Sequence, residues 1–300
     1  MDLNKIQLFV DVVMHGSFAE VARRNDVDPS SVSRSIAALE KELGFRLFQR
    51  TTRKLAPTEA GNAYFSQVEG LVDAFTEAGE QAMDLLGQPI GTLRVAACTS
   101  FGEKVLAPLL PKLMSLYPRL TIDLALADHQ VDIVDQQIDL AIRFGPKPND
   151  NYVYTELMPR KFIVCASPSY SRFSEISSQP SCLEALDCLR FSTTGYSDWW
   201  KFRHPKKQGI SVPVTGSLLV SHGMTMTVCT AAGLGIAMIP DWLCADELSD
   251  GRLVNLFPEY ECAISDFDTS AWLVYPCRDY MPFKLSVVIE FLKSNMNCLV

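Results

Sequence analysis

The sequence predicts a multidomain α plus α/β protein: a small helical head with a wing, one long helix, and a two-part α/β body. Three observations carry this reading. Two short helical patterns within residues 18–55 are split by a break at Val27-Asp28-Pro29. An apolar seam then runs from Tyr64 to Leu85 in steps of four and three, the spacing of a helix that meets a partner helix. From Gly91 onward, strand patterns alternate with helical ones. The expected boundaries are 1–58 for the head, 59–90 for the long helix and hinge, and 91–300 for the body. Three hundred residues exceed one typical domain, and a 48% hydrophobic content is ample for packed cores.

The net charge of -8 hides an asymmetry. Residues 21–54 hold eight basic and four acidic side chains, net +4, so the rest of the chain carries −12. A basic head on an acidic body suits a nucleic-acid partner. All nine cysteines lie at or beyond Cys98 and none forms a CxxC pair, which points to free thiols in a reducing cytoplasm. Asp2, Asn4, Lys5 and Gln7 interrupt any opening apolar run, so no signal peptide is expected. Gly209 to Pro240 has no Asp, Glu, Lys or Arg, yet glycines, prolines and His222 break it up. It reads as strand, buried helix and strand rather than a membrane span, and no membrane partner is expected.

The head begins with a helix over Leu3–His15 that buries Ile6, Phe9, Val10 and Val13. Gly16 ends it, and Ser17 caps the next helix with Glu20 at capping-box spacing. Asp28 caps a third helix, and Pro29 suits its first turn because the missing N–H would be unpaired there anyway. Val32, Ile36, Leu39 and Leu43 form its inward stripe. Ser30, Ser31, Ser33 and Arg34 therefore crowd its outer, N-terminal end, which is the kind of edge a major groove accepts. An ordinary amphipathic helix with a solvated face would show the same period. The turn beyond Phe48 weighs against that, because Arg50, Thr51, Thr52 and Arg53 read as a wing touching phosphates. Ser17 and Pro29, at the two helix starts, complete the candidate DNA contacts.

GSFAEVARR, SSVSRSIAALEKELGFRLFQRTTRKL and the following PTEAG resemble the winged helix-turn-helix of LysR-type transcriptional regulators. The departures are Val21 and Arg24, where the family often has alanine, and Ala56, where leucine or threonine is frequent. The resemblance implies double-stranded DNA as partner.

Thr58 caps the long helix, which runs to about Leu86. Its seam is Tyr64, Val68, Leu71, Phe75, Ala78, Ala82 and Leu85, with a second row at Phe65, Val72 and Leu86. An intermolecular seam is favoured over packing within one domain. A homodimer, and a homotetramer built from it, would then set the spacing of DNA half-sites. RNA polymerase is a further candidate partner.

In the body, strands are expected at Thr92–Ala97, Leu120–Ala127, Asp139–Phe144, Val153–Leu157, Phe162–Ala166, Leu189–Ser192, Gly235–Ile239 and Ala271–Tyr275. Helices are expected over Phe101–Leu116, kinked or broken by Pro108 and Pro111, and over Val131–Gln137, Met224–Ala232 and Phe283–Met296. Such alternation implies a mostly parallel sheet. GTLRVAACTSFGEKVLAPLLPKLMSLYP, VDIVDQQIDLAIRFG and AAGLGIAMIP resemble the same family's effector domain, of periplasmic-binding-protein fold. That resemblance implies subdomain I at 91–164 and 271–300, subdomain II at 165–270, and a small-molecule effector between them.

Ligands in open α/β sheets bind beyond the carboxyl ends of strands. Thr99, Ser100 and Phe101 follow the first strand and open a helix whose N–H groups favour an organic acid or another anion, or are simply capped by Ser100 or Thr99. The resemblance adds Asp128, His129, Arg143, Phe144, Thr193, Thr194, Ser221 and His222. Arg143 suits a carboxylate, or is tied to Asp139 instead. Trp199 and Trp200 suit an aromatic wall or the core. Cys98 is a candidate redox thiol in a variant reading where oxidation replaces the effector. A cytosolic binding protein or enzyme is the other alternative. The absence of GxSxG, HExxH, GxGxxG and Walker A patterns disfavours it, and none of the four histidines pairs at metal spacing, so no metal or cofactor is expected.

Overall fold

The computed structural model describes residues 2–50, 55–84, 87–129, 132–134, 136–147, 152–192, 198–276 and 280–296. The chain divides into two compact units, one of Met1–Pro89 with Tyr280–Phe283 and a second of Ile90–Asp279 with Lys284–Val300. Among the described residues no helix is long and apolar enough to cross a membrane.

The first unit contains α1 (Leu3–His15), α2 (Phe18–Arg24), α3 (Pro29–Leu43), β1 (Phe48–Arg50), β2 (Leu55–Pro57) and α4 (Glu59–Asp84). The caps of α2, α3 and α4 are those the sequence predicts, while Asp2, which accepts from Asn4 N, caps α1. Ser17 accepts from Glu20 N, Asp28 from Ser30 N, and the Thr58 hydroxyl from Gly61 N. Glycine ends α1 and α3 because Gly16 and Gly44 take left-handed φ of 62° and 80°. Phe9, Val21, Val32, Ile36 and Leu39 are fully buried between the helices.

The seam of α4 is split. Val68 and Val72 are buried in this core, and Tyr64 and Phe65 pack against Phe9 at 5.6 and 6.4 Å. The start of the helix thus does have a compact partner surface, contrary to expectation, because α1 covers it. Leu71 and Phe75, further along, are 68% and 64% exposed. Leu85 and Leu86 lie outside the described residues.

In the second unit β3 (Gly91–Ala97) leads into α5 (Thr99–Phe101), a π turn over Gly102–Leu106, and α6 (Ala107–Leu116). The kink expected at Pro108 and Pro111 takes the form of this π turn. Ala107 N reaches back to Gly102 O, and Pro108, with no N–H to donate, opens the next stretch. Next come β4 (Leu120–Leu126), β5 (Leu140–Gly145) and β6 (Tyr152–Pro159), then β7 (Phe162–Ala166) and β8 (Cys188–Phe191). The hairpin β9 (Trp199–His204) and β10 (Lys207–Pro213) follows, then β11 (Leu219–Val220), α7 (Gly223–Ala231), β12 (Ile236–Pro240) and α8 (Asp241–Ser249). The chain finishes with β13 (Val254–Asn255), β14 (Glu261–Ala263), β15 (Ser270–Pro276) and α9 (Phe283–Met296).

Five strands form one sheet in the order β4-β3-β5-β15-β6, and eight form the other, ordered β10-β9-β14-β7-β12-β8-β11 with β13 also on β7. Both are mixed, not mostly parallel. β15 runs antiparallel to β5 and β6, and β7 antiparallel to β12, because each strand carries the chain back between the sheets. The first crossing falls at residues 160–161 rather than at Cys165, since β7 already pairs with β12 through Cys165 and Ala237. Of the short helix expected over Val131–Gln137, the described residues 132–134 and 136–137 are not helical. Turns stand at residues 133–134 and 136–137, where the Asp132 carboxylate takes Val134 N and Gln137 has φ 52°.

Candidate DNA-contact face and effector cleft

Asp28 organises the first turn of α3. Its carboxylate accepts from Ser30 N at 2.7 Å, and the two hydrogen bonds from Ser30, hydroxyl first, hold its pKa below the usual range. Ser31 Oγ donates to Asp28 O at 2.8 Å, and Arg34 Nε to Ser30 O at 3.2 Å. Pro29, Ser30 and Arg34 are exposed, and Ser31 and Ser33 half-buried. The structure thus gathers these five candidates onto one helix start. Ser17 spends its hydroxyl on the α2 cap. On the flank, Glu20 is held down to about 2 by hydrogen bonds from Arg23 and Arg24. Arg50 ends β1, and Thr51, Thr52 and Arg53 lie outside the described residues.

Sequence reasoning missed how the wing base is fixed. Glu40, on α3, accepts from Leu47 N and Phe48 N at 2.8 and 3.2 Å. From α4's side, Thr58 Oγ1 donates to Arg46 O at 2.7 Å and Thr58 N to Leu47 O at 2.8 Å.

In the second unit a cavity of about 560 Å³ opens at strand ends where the two sheets meet. Cys98, Ser100, Asp128, His129, Arg143, Phe144 and Ser221 line it. Thr99 is engaged elsewhere, since its N–H donates to Asp128 Oδ1 at 3.0 Å. Asp128, and neither Ser100 nor Thr99, therefore caps α5. Phe101 is fully buried behind the wall and packs edge-on against Phe144 and Trp242, each at 5.2 Å. His222 is not on the wall; its Nδ1 lies 3.0 Å from Thr225 Oγ1. Thr193 and Thr194 lie outside the described residues.

The lining also includes Arg160, Phe191, Trp242 and Trp272, which the sequence reading did not pick out. Trp242 follows the end of β12, so the strand-end rule would have found it; Arg160 follows β6, which ends at Pro159, two residues beyond the predicted Leu157. The tryptophans chosen instead are elsewhere: Trp200 is core, and Trp199 is 56% exposed on the β9 hairpin. Arg143 stacks over Tyr152, 5.8 Å from the ring centroid, while the Asp139 carboxylate accepts from Arg94 N.

Burial pushes the Cys98 thiol up, and Asp128 adds to the shift, which Arg160 and the Phe101 backbone only partly offset. A thiol of raised pKa has little of the thiolate that redox sensing needs. Among the described residues no cluster of His, Cys, Asp or Glu suits a metal.

Two polar contacts join the halves beside the cavity. Met224 N, in α7, donates to Ser100 Oγ at 3.1 Å, and Lys104 pairs with Asp246 of α8 at 2.6 Å. Gly223 makes the first possible, since a Cβ there would stand 2.6 Å from Leu243 Cδ2 and 3.0 Å from Ser100 Oγ. Gly223→Val is expected to destabilise the unit by about 1–3 kcal/mol through overpacking. Ser100→Ala, which strips the acceptor from one N–H, should cost about 1 kcal/mol. Urea unfolding of the full chain checks both, and a Gly223→Val midpoint equal to wild type would count against this close contact.

Residues 3–62 match the family described as bacterial regulatory helix-turn-helix protein, lysR family, and residues 86–297 match the LysR substrate binding domain. The probable HTH-type transcriptional regulator LtrA of Klebsiella pneumoniae is 32% identical over 306 residues, covering 100% of this chain and 97% of its own. The HTH-type transcriptional regulator DmlR of Escherichia coli is 30% identical, covering 97% and 94%. CrgA, a LysR-type transcriptional regulator from Neisseria meningitidis, superposes with a TM-score of 0.61 at 26% identity, over 99% of both chains. The Vibrio cholerae virulence activator AphB shares the fold, with a TM-score of 0.62 at 23% identity over 98% of this chain and 99% of that one. The chain belongs to the LysR family: it is a DNA-binding transcriptional regulator with an effector-binding domain, not an enzyme.

Proposed function

We propose that this regulator reads its sites with the first turn of α3 and holds the DNA backbone with its wing. Pro29, Ser30, Ser31, Ser33 and Arg34 face the groove, Ser17 lies at the backbone, and Arg50, Thr51, Thr52 and Arg53 meet phosphates. The observation that carries this is the exposed polar start of α3 above a fully buried Val32-Ile36-Leu39 stripe. It acts in the cytoplasm as a homodimer through the exposed part of α4, with a homotetramer and RNA polymerase contact as extensions of the same reading. The chain is read as a head at 1–58, a linker helix and hinge at 59–90, and an effector domain from 91 onward. A small molecule in the cleft switches it by binding one arrangement of the two halves more tightly than another.

Arg34→Ala or Ser33→Ala is expected to weaken discrimination among DNA sites, by about 1–3 kcal/mol for a lost base contact. Arg50→Ala or Arg53→Ala should weaken binding uniformly and lower the slope of affinity against salt by about one unit. Gel shifts over a salt series separate the two groups. If all four variants bind like wild type, the assignment fails.

A further inference from the structure

Arg34 is held in place before it meets DNA. Its Cα lies about 6 Å along α3 from that of Ser30. The side chain nevertheless folds back over the helix start, as long helical side chains do. Nε–H donates to Ser30 O at 3.2 Å and Nη2–H to Ser30 Oγ at 3.4 Å. A guanidinium has only donors, so the Ser30 hydroxyl accepts here and its own hydrogen is left for Asp28. That hydroxyl, and then the Ser30 N–H, hold the Asp28 carboxyl below its usual range. A relay from Arg34 through Ser30 to Asp28 thus runs over one exposed turn.

The relay decides which donors are presented. Nε and Nη2 spend one edge of the planar group on Ser30, so its Nη1–Nη2 end is turned away from Ser30. That end is a fork of two parallel N–H groups and matches two acceptors side by side. In the major groove guanine offers such a pair, O6 and N7. Adenine sets a donor amino group beside N7, cytosine shows a donor, and thymine has one acceptor beside its methyl. A phosphate also offers two oxygens, but Asp28 disfavours it. Asp28 stands exposed at the start of α3, and its Oδ1 already takes Ser30 N at 2.7 Å. That N–H is one a phosphate at a helix N-terminus would use. With a carboxylate in that place, the turn repels the DNA backbone and suits uncharged base edges.

We infer that Arg34 reads a guanine in each half-site through O6 and N7, with Ser30 as the residue that positions it. This rests on the reading of α3 as the helix in the groove. The test first selects duplexes from a random pool with the full-length protein and with Arg34→Ala. The wild type should select a guanine that Arg34→Ala no longer requires. Replacing that guanine by 7-deazaguanine, which lacks N7, should weaken wild-type binding about tenfold, within the range for one bidentate base contact. Hypoxanthine keeps O6 and N7 and lacks only the minor-groove amino group, so it should bind as guanine does. Ser30→Ala should shrink the 7-deazaguanine effect about threefold, and Ser30→Thr, which keeps a hydroxyl, should restore it. The cap of α3 survives in both, because the Ser30 backbone N–H still reaches Asp28. Scanning 7-deazaguanine through every guanine of the selected site with the wild type carries the test if a variant fails to fold, and a scan without loss at any position overturns the inference. A full 7-deazaguanine effect in Ser30→Ala overturns the positioning role. If the base that Arg34 requires is not guanine, the guanine assignment fails and α3 remains the reading helix. Identical sites for the wild type and Arg34→Ala remove Arg34 from the reading altogether. If no sequence is selected, the reading of α3 fails as well.

Discussion

Replacing Leu71 and Phe75 together by glutamate is expected to convert the regulator to a monomer. Both side chains stand out from α4 at 68% and 64% exposure, while Val68 and Val72 beside them are buried in their own head. Burying a Leu or Phe side chain fully is worth about 1.5–3 kcal/mol. A two-fold seam would take two from each copy. Even with about a third of each already covered, the double substitution removes several kcal/mol from the dimer, a weakening of about a thousandfold or more. It also places like charges face to face. Affinity for a two-half-site DNA should fall to that of a single head, because the heads would no longer share one entropic cost of binding. The fold of the head should persist, since neither residue contributes to its core. Sedimentation with and without DNA, beside a urea melt, measures this. A variant that remains dimeric at the wild-type concentration would rule out α4 as the seam.

That prediction also shows where the sequence was legible. Periodicity found every helix of the head, and cap chemistry found the starts of α2, α3 and α4, since Ser17, Asp28 and Thr58 act on neighbours within three residues. A single period could not say that α4 serves two surfaces. Val68 and Leu71 are equally apolar, and only the position of α1 decides which is covered. The same limit governs the cleft. Ser100 was legible because it follows a recognisable strand, whereas Arg143 and Phe144 came from the family resemblance. Trp242 follows Pro240 and Asp241 at the end of β12, so the rule covered it, but Trp199-Trp200 drew attention as the more conspicuous pair. Arg160 lies at the crossover, whose position depends on β7 pairing with strands more than 70 residues later. Among the described residues of the helix predicted over Val131–Gln137, the Asp132 carboxylate takes Val134 N within a turn, a local bond that an apolar count does not register.

Glu40 should prove to be the residue that ties the reading helix to the wing. One carboxylate oxygen takes two successive backbone N–H groups, those of Leu47 and Phe48, at the point where the chain turns from α3 into β1. Leu47 is fully buried and Phe48 nearly so, so neither N–H has ready access to water. Phe48 also packs edge-on against Phe9 and Phe18, each at 5.7 Å, and Thr58 fixes the other side of the same turn. Nor can α4 move in to compensate. A Cβ on Gly61 would already stand 2.2 Å from Leu47 O, so the helix backbone lies directly against the turn. Glu40→Ala therefore leaves two donors unpaired, at a cost of about 2–4 kcal/mol. Beyond that loss, β1 and β2 are free to shift against α3. The expected signature is a lowered urea midpoint together with a shallower dependence of DNA affinity on salt, because wing contacts to phosphate are lost. The ratio of affinities for matched and mismatched sites should hold, since α3's first turn is capped independently by Asp28. Glu40→Gln keeps a carbonyl oxygen in place and should recover part of both effects. If Glu40→Ala folds but keeps the wild-type salt slope, the wing is positioned by the Thr58 side alone.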